Sequence, residues 1–160
     1  MASHFGVMSA AHDAVAGPVG GVLGNKSRDI WSLAPEASVY DAIKLMADKS
    51  IGLVLVMEGA RLVGVVSERD YARKVVLQSR QARSTQIGEI MSAPVISISP
   101  QTSVAECMRL MTEHRVRHIP VLDRDRVVGV ISIGDVIKYI LSAQTETLQV
   151  LSAYVANASL

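Results

Sequence analysis

The chain carries one segment twice. Displaced by sixty-five positions, Trp31–Leu77 lies without a gap on Ile96–Ser142, setting Ser32 on Ser97, Pro35 on Pro100, Ser38-Val39 on Ser103-Val104 and Leu45-Met46 on Leu110-Met111. The match is denser further on. Val56 meets Val121, Arg61 meets Arg126, Val63-Gly64-Val65 meets Val128-Gly129-Val130, Ser67 meets Ser132 and Asp70 meets Asp135. Gapless self-similarity of this length means a duplicated supersecondary unit, and two such units bury against each other what neither buries alone. Function is therefore expected where the copies meet.

The apolar share of 49% against 19% charged residues fits a folded globular chain, and with 4% aromatics its core has to be aliphatic. At 160 residues there is enough chain for a real core. A formal charge of +1 and a pI near 7.9 offer no electrostatic reason to expect a nucleic-acid or membrane partner. The start has no charged segment leading into an apolar one, and no apolar run approaches the ~18 residues of a membrane helix. With Cys107 as its one cysteine, an internal disulfide is excluded. These features read as a soluble, cytoplasmic protein.

Residues 1–24 are rich in Ala, Gly, Ser and Val with no sustained period, and read as a flexible arm in which Val19–Leu23 could pack against the rest of the chain. The first repeat then occupies 25–80, the linker and second repeat 81–142, and a tail 143–160. Each repeat opens with an extended piece before a proline, Ile30–Leu33 and Val95–Ile98. Val39, Ala42, Ile43, Met46 and Ala47 recur at helical spacing, as do Val104, Cys107, Met108 and Met111. Ser103 with Glu106, and more weakly Ser38 with Asp41, have the spacing of a capping box.

Two β runs follow in each copy, Leu53–Met57 with Leu62–Val66, and Ile119–Leu122 with Val127–Ile131, joined by short polar turns. Helices over Arg69–Leu77 and Asp135–Leu141 close the units, giving an α/β (α+β) fold of tandem β-α-β-β-α repeats. Between them, Ile87–Met91 reads as a short helix. Leu148, Leu151 and Val155 recur at helical steps, so Thr145–Val155 is expected to form an amphipathic tail helix.

These features resemble the cystathionine β-synthase (CBS) domain pair, two β-α-β-β-α repeats related by a pseudo-twofold axis, as found in stand-alone bacterial proteins of this type. Gly64-Val65-Val66-Ser67-Glu68-Arg69-Asp70, Gly129-Val130-Ile131-Ser132-Ile133-Gly134-Asp135 and Arg117-His118-Ile119-Pro120-Val121 carry the resemblance, which spans Ile30–Leu141. It implies a non-catalytic regulatory module whose inter-repeat clefts bind an adenosine-containing ligand: AMP, ATP or NAD(H), with S-adenosylmethionine also in the class. By matching position, Asp70 with Ser67 and Asp135 with Ser132 would hold the ribose. The adenine slot would draw on Ile30, Ser32, Gly52 and Leu53 in one copy, and on Val95, Ser97, His118 and Ile119 in the other. Arg69, Arg73, Arg115, Arg117 and His118 are the candidates for phosphate.

A homodimer of such pairs and an unidentified protein partner are implied as well. Gly52-Leu53-Val54-Leu55 stands where the second copy has Arg117-His118-Ile119-Pro120, so the two clefts are expected to differ chemically. The aspartate beside Arg69 and Arg73 is expected to matter at least as much as the other.

Each motif has a plainer reading. An Asp three residues after a Ser can simply cap its helix, and the same spacing recurs at Ser38 and Ser103. Placement after a Gly-containing strand, at a strand-to-helix junction, is what favours a ligand role for Asp70 and Asp135. Arg115, Arg117 and His118 are either a solvated helix end or a phosphate contact; if the segment is extended, the two arginines share a side. His114 and His118 have the spacing of metal ligands on a helix, but their interval is expected to cross into a strand, and no metal is assigned. Cys107 on an apolar stripe reads as a structural thiol. No nucleophile elbow, phosphate loop or dinucleotide fingerprint appears, so no catalytic residues are assigned. The rival to the sensor is a constitutive dimerisation or scaffold module with vestigial clefts.

Overall fold

The computed structural model describes residues 10–26 and 29–158. The elements run α1 (10–16), α2 (Gly20–Gly24), β1 (Ser32–Leu33), α3 (Val39–Lys49), β2 (Leu53–Glu58), β3 (Arg61–Ser67) and α4 (Glu68–Tyr71), which continues as a π-turn over Ala72–Val76. A 3-10 turn (Ile87–Glu89), α5 (Val104–Glu113), β4 (His118–Asp123), β5 (Arg126–Ser132) and α6 (Ile133–Ala158) follow. Both copies thus follow the expected element order. In the first, β1 pairs parallel with β2, and β2 antiparallel with β3. In the second, β4 pairs with β5, and the counterpart of β1 shrinks to one parallel bridge, Ile98 with Val121.

Two compact units cut across the order of the chain. One comprises Asp29–Ser97 with Leu122–Val128; the other joins the residues before Asp29 to Ile98–Val121 and Gly129 onward. In the former, α3 buries Val39, Ala42 and Met46 against Val54, Val56 and Val66 of the sheet, with Ile87 and Ile90 of the linker closing the cluster. In the latter, α5 buries Val104, Cys107 and Met111, the same three positions sixty-five residues on, together with Ile119, Val121, Ile131 and Val136.

From residue 10 onward the expected flexible arm is helical and packed, and Val19–Leu23 docks as its apolar run allows. Ala14, Val19, Val22 and Leu23 are buried in the second-copy unit, because Val19–Leu23 does there what Ile87–Met91 does in the first. Val19 N–H donates to Thr102 and Gly20 N–H to Pro100, as Ile87 N–H donates to Ala37 and Gly88 N–H to Pro35. Bridges Pro18–Ser103 and Ser38–Gln86 complete the equivalence. A Cβ on Gly129 would lie 2.6 Å from a methyl of Leu23, and one on Gly64 would lie 2.4 Å from the Met91 sulfur. Each repeat's central glycine is therefore the floor on which an apolar side chain of a linker segment rests.

Two further expectations change. The repeat's last helix and the tail helix are one element, α6, because no Gly or Pro interrupts Leu141–Thr145, so the boundary at 143 disappears. The capping boxes are reversed in strength. Ser38 and Asp41 form the full reciprocal box, whereas Ser103 accepts from Glu106 N–H without return. The Glu106 carboxylate is engaged by Arg109 instead. No helix among the described residues is long and apolar enough to cross a membrane.

Candidate functional site

Strands β3 and β5 end on serines, and the next residues turn helical, so each Ser-x-x-Asp sits at a helix start with unpaired backbone N–H groups. Ser67 Oγ accepts from Asp70 N–H at 3.2 Å, while Asp70 Oδ2 accepts from Ser67 N–H and Oγ–H at 2.9 and 2.8 Å. Ser132 Oγ accepts from Asp135 N–H at 3.1 Å, and Asp135 Oδ2 accepts from Ser132 N–H at 2.8 Å. Capping is therefore real at both junctions. What a junction can still bind depends on the hydrogen-bonding capacity left over.

That remainder differs between copies. Asp70 Oδ1 accepts from Ser92 Oγ at 3.0 Å and lies 2.8 Å from Lys74 Nζ, and the side chain is 12% exposed. Lys74 Nζ also reaches Ile90 O at 2.8 Å and Ser92 Oγ at 3.3 Å. Asp135 Oδ2 takes Lys26 Nζ at 2.7 Å, and that ammonium donates onward to Val130 O at 2.8 Å. Asp135 Oδ1 accepts no hydrogen bond among the described residues, and the side chain is 25% exposed. The second junction thus keeps an open acceptor that the first lacks.

Burial works against ionisation of Asp70, but hydrogen bonds from Lys74 and Ser67 outweigh it and hold the carboxyl below its ordinary range. Asp135 is lowered in the same way, burial being overcome by Lys26 and Ser132. A carboxyl with a depressed folded pKa adds stability that is complete above its unfolded value, about 4, and lost as pH falls through the folded one. Urea unfolding of wild type between neutral and acidic pH should therefore weaken below about pH 4, with a shallower acid decline in Asp70→Asn.

Gly52 and Leu53 lie at the first junction: Gly52 O accepts from Glu68 N–H at 3.3 Å, and Leu53 pairs with Ser67. Arg117 O accepts from Ile133 N–H at 2.9 Å, which sets Arg117 beside the second junction. Ser32 pairs with Leu55, Ile30 is exposed, and Arg69 and Arg73 are exposed on the helix that Asp70 helps to start. Ile98 N–H donates to Pro120 O at 3.1 Å, which sets the segment carrying Ser97 beside the strand carrying His118 and Ile119. Ile119 is fully buried, and its side chain is core.

The alternation drawn through Arg115, Arg117 and His118 is corrected. Arg115 has φ 53 in a left-handed turn after α5, and the strand begins only at His118, so no extended segment aligns the two arginines. The interval from His114 to His118 runs from helix end into strand, as expected. Sequence reasoning missed Lys74 and Ser92 at the first junction and, at the second, Lys26. Its partner lies 109 positions away, and no local pattern reports such a pair.

Comparison with known proteins agrees with the duplicated architecture. The CBS domain family matches this chain twice, over residues 20–77 and 87–142. The mitochondrial CBS domain-containing protein CBSX3 of Arabidopsis thaliana is 41% identical over 131 residues, 79% of this chain and 63% of that protein. A solved structure of a candidate signal-transduction protein with CBS domains from Burkholderia ambifaria MC40-6 is 50% identical, with a TM-score of 0.76, covering 78% of this chain and 94% of that one. The hexameric CBS-CP12 protein of bloom-forming cyanobacteria is 26% identical with a TM-score of 0.65, over 72% of this chain and 68% of that one. Two family matches, each spanning one copy and its preceding linker segment, leave one assignment: this chain belongs to the CBS domain family, as a tandem pair.

Proposed function

We propose that the chain is a non-catalytic regulatory module that binds an adenosine-containing ligand, and that the junction at Asp135 is its principal contact with the sugar. The observation carrying this reading is the half-used carboxylate. One oxygen is fixed by the helix start and Lys26, and the other remains an open acceptor reachable by solvent. A ribose hydroxyl donating to it forms a charge-assisted hydrogen bond, worth about 1.5–3 kcal/mol, or roughly tenfold or more in affinity. On this reading Asp135, rather than Asp70 beside Arg69 and Arg73, matters most for the ligand. AMP, ATP and NAD(H) are the first ligands to test, then S-adenosylmethionine; no metal is part of the reading. A cytoplasmic location and a separate protein that reads the bound state complete it.

A thermal-shift screen of these nucleotides tests it, since a ligand specific for the native state raises the midpoint with the logarithm of its concentration over Kd. Shifts with adenosine ligands and none with pyrimidine nucleotides are expected. No shift with any of them at millimolar concentration would remove the sensor.

A constitutive dimer or scaffold is the second reading, favoured by exposed Ile137, Leu141, Leu148 and Val150 on α6 and by the assembly of the cyanobacterial relative. Sedimentation of the chain cut after Gln144 separates the two. A scaffold falls to monomer and a sensor keeps its ligand-induced shift.

A further inference from the structure

Counting donors and acceptors at the two lysines divides the labour between the copies. An ammonium has three N–H donors and no acceptor. Lys74 directs its three at Asp70 Oδ1, Ile90 O and Ser92 Oγ, while Asp70 fills Oδ1 with Lys74 and Ser92 and Oδ2 with Ser67. Nothing there remains to recognise a ligand. Lys26 directs two, at Asp135 Oδ2 and Val130 O, and its side chain is 31% exposed. Ser132 Oγ accepts from Asp135 N–H, and its hydroxyl supports the Asp135 carboxylate as Ser67 supports Asp70. Among the described residues, an N–H of Lys26 and a carboxylate oxygen of Asp135 are thus left over side by side.

We infer that Lys26 is a ligand-contacting residue: with Asp135 it forms a donor–acceptor pair that takes a vicinal diol, whereas Asp70–Lys74 is a saturated clamp holding the linker at Ile90 and Ser92. The 3′-hydroxyl donates to Asp135 Oδ1 and the 2′-hydroxyl accepts from Lys26 Nζ, so the pair reads both members of a ribose diol. Lys26 is held in reach by the segment before it, whose Val22 and Leu23 are buried in the same unit. The inference rests on the nucleotide reading above and adds the residue that would discriminate among sugars.

Calorimetric titration of AMP and 2′-deoxy-AMP into wild type, Lys26→Met, Lys26→Gln and Lys74→Met tests it. Wild type is expected to prefer AMP by about tenfold, the cost of leaving a built polar group without its partner. Lys26→Met should lose most of that preference. Lys26→Gln, which keeps a donor without the charge, should retain part of it and covers the case in which the methionine variant does not fold. Lys74→Met should keep the preference while losing thermal stability. An undiminished preference in both Lys26 variants, or its loss in Lys74→Met instead, overturns the inference and leaves the nucleotide reading standing. No binding of either nucleotide to wild type overturns both.

Discussion

Ile87→Ala is expected to lower the free energy of unfolding by about 3 kcal/mol, an effect of core size from a residue in a linker. Ile87 is fully buried among Val39, Ala42, Val54 and Val56, and its N–H holds the turn before α3 through Ala37 O at 2.9 Å. Truncation removes three carbons and leaves a cavity that a sheet and a capped helix cannot easily close. Val19 occupies the equivalent place in the other unit, fully buried with its N–H on Thr102 O at 2.8 Å. Val19→Ala should cost about 2 kcal/mol, the loss of two buried carbons and their cavity. Urea unfolding followed by circular dichroism measures both. A Val19→Ala variant as stable as wild type would mean that residues 10–24 are the loose arm their composition suggests.

Asp70→Ala should destabilise more than Asp135→Ala, by about 2–3 kcal/mol against about 1–2. The change strips the cap from α4 and leaves Lys74 and Ser92 facing a missing acceptor at a side chain only 12% exposed. Lys74 is itself 37% exposed and can turn partly to water, which keeps the loss below that of a fully buried pair. Asp135 and Lys26 are both more exposed than Asp70 and share fewer hydrogen bonds, so their separation costs less. Thermal midpoints of the two variants without ligand give the comparison. Equal losses would contradict the division into clamp and contact.

The register of the duplication made most of the fold legible. Positions that bury the same face recur sixty-five residues apart, so Val39, Ala42 and Met46 foretell Val104, Cys107 and Met111. The equivalence of Val19–Leu23 to Ile87–Met91 is hidden because their match runs at sixty-eight: Leu23 stands twelve residues before Pro35, but Met91 only nine before Pro100. A search allowing one insertion would have set Val19-Gly20 on Ile87-Gly88 and shown the arm to be core. At the site, Ser67–Asp70 and Ser132–Asp135 were visible as pairs, and Lys74 was in principle visible at four residues from Asp70. What the pairs have left to offer was not visible. It depends on Lys26 and Ser92, which tertiary folding alone brings to their carboxylates.

The central claim is that the second junction holds the nucleotide, and titrating AMP into wild type and Asp135→Asn at neutral pH tests it most directly. Asparagine preserves the shape of the cap while removing the charge that a hydroxyl would seek. The expected result is saturable binding to wild type and an affinity at least about tenfold lower in the variant. Matching affinities for the two proteins would contradict the account.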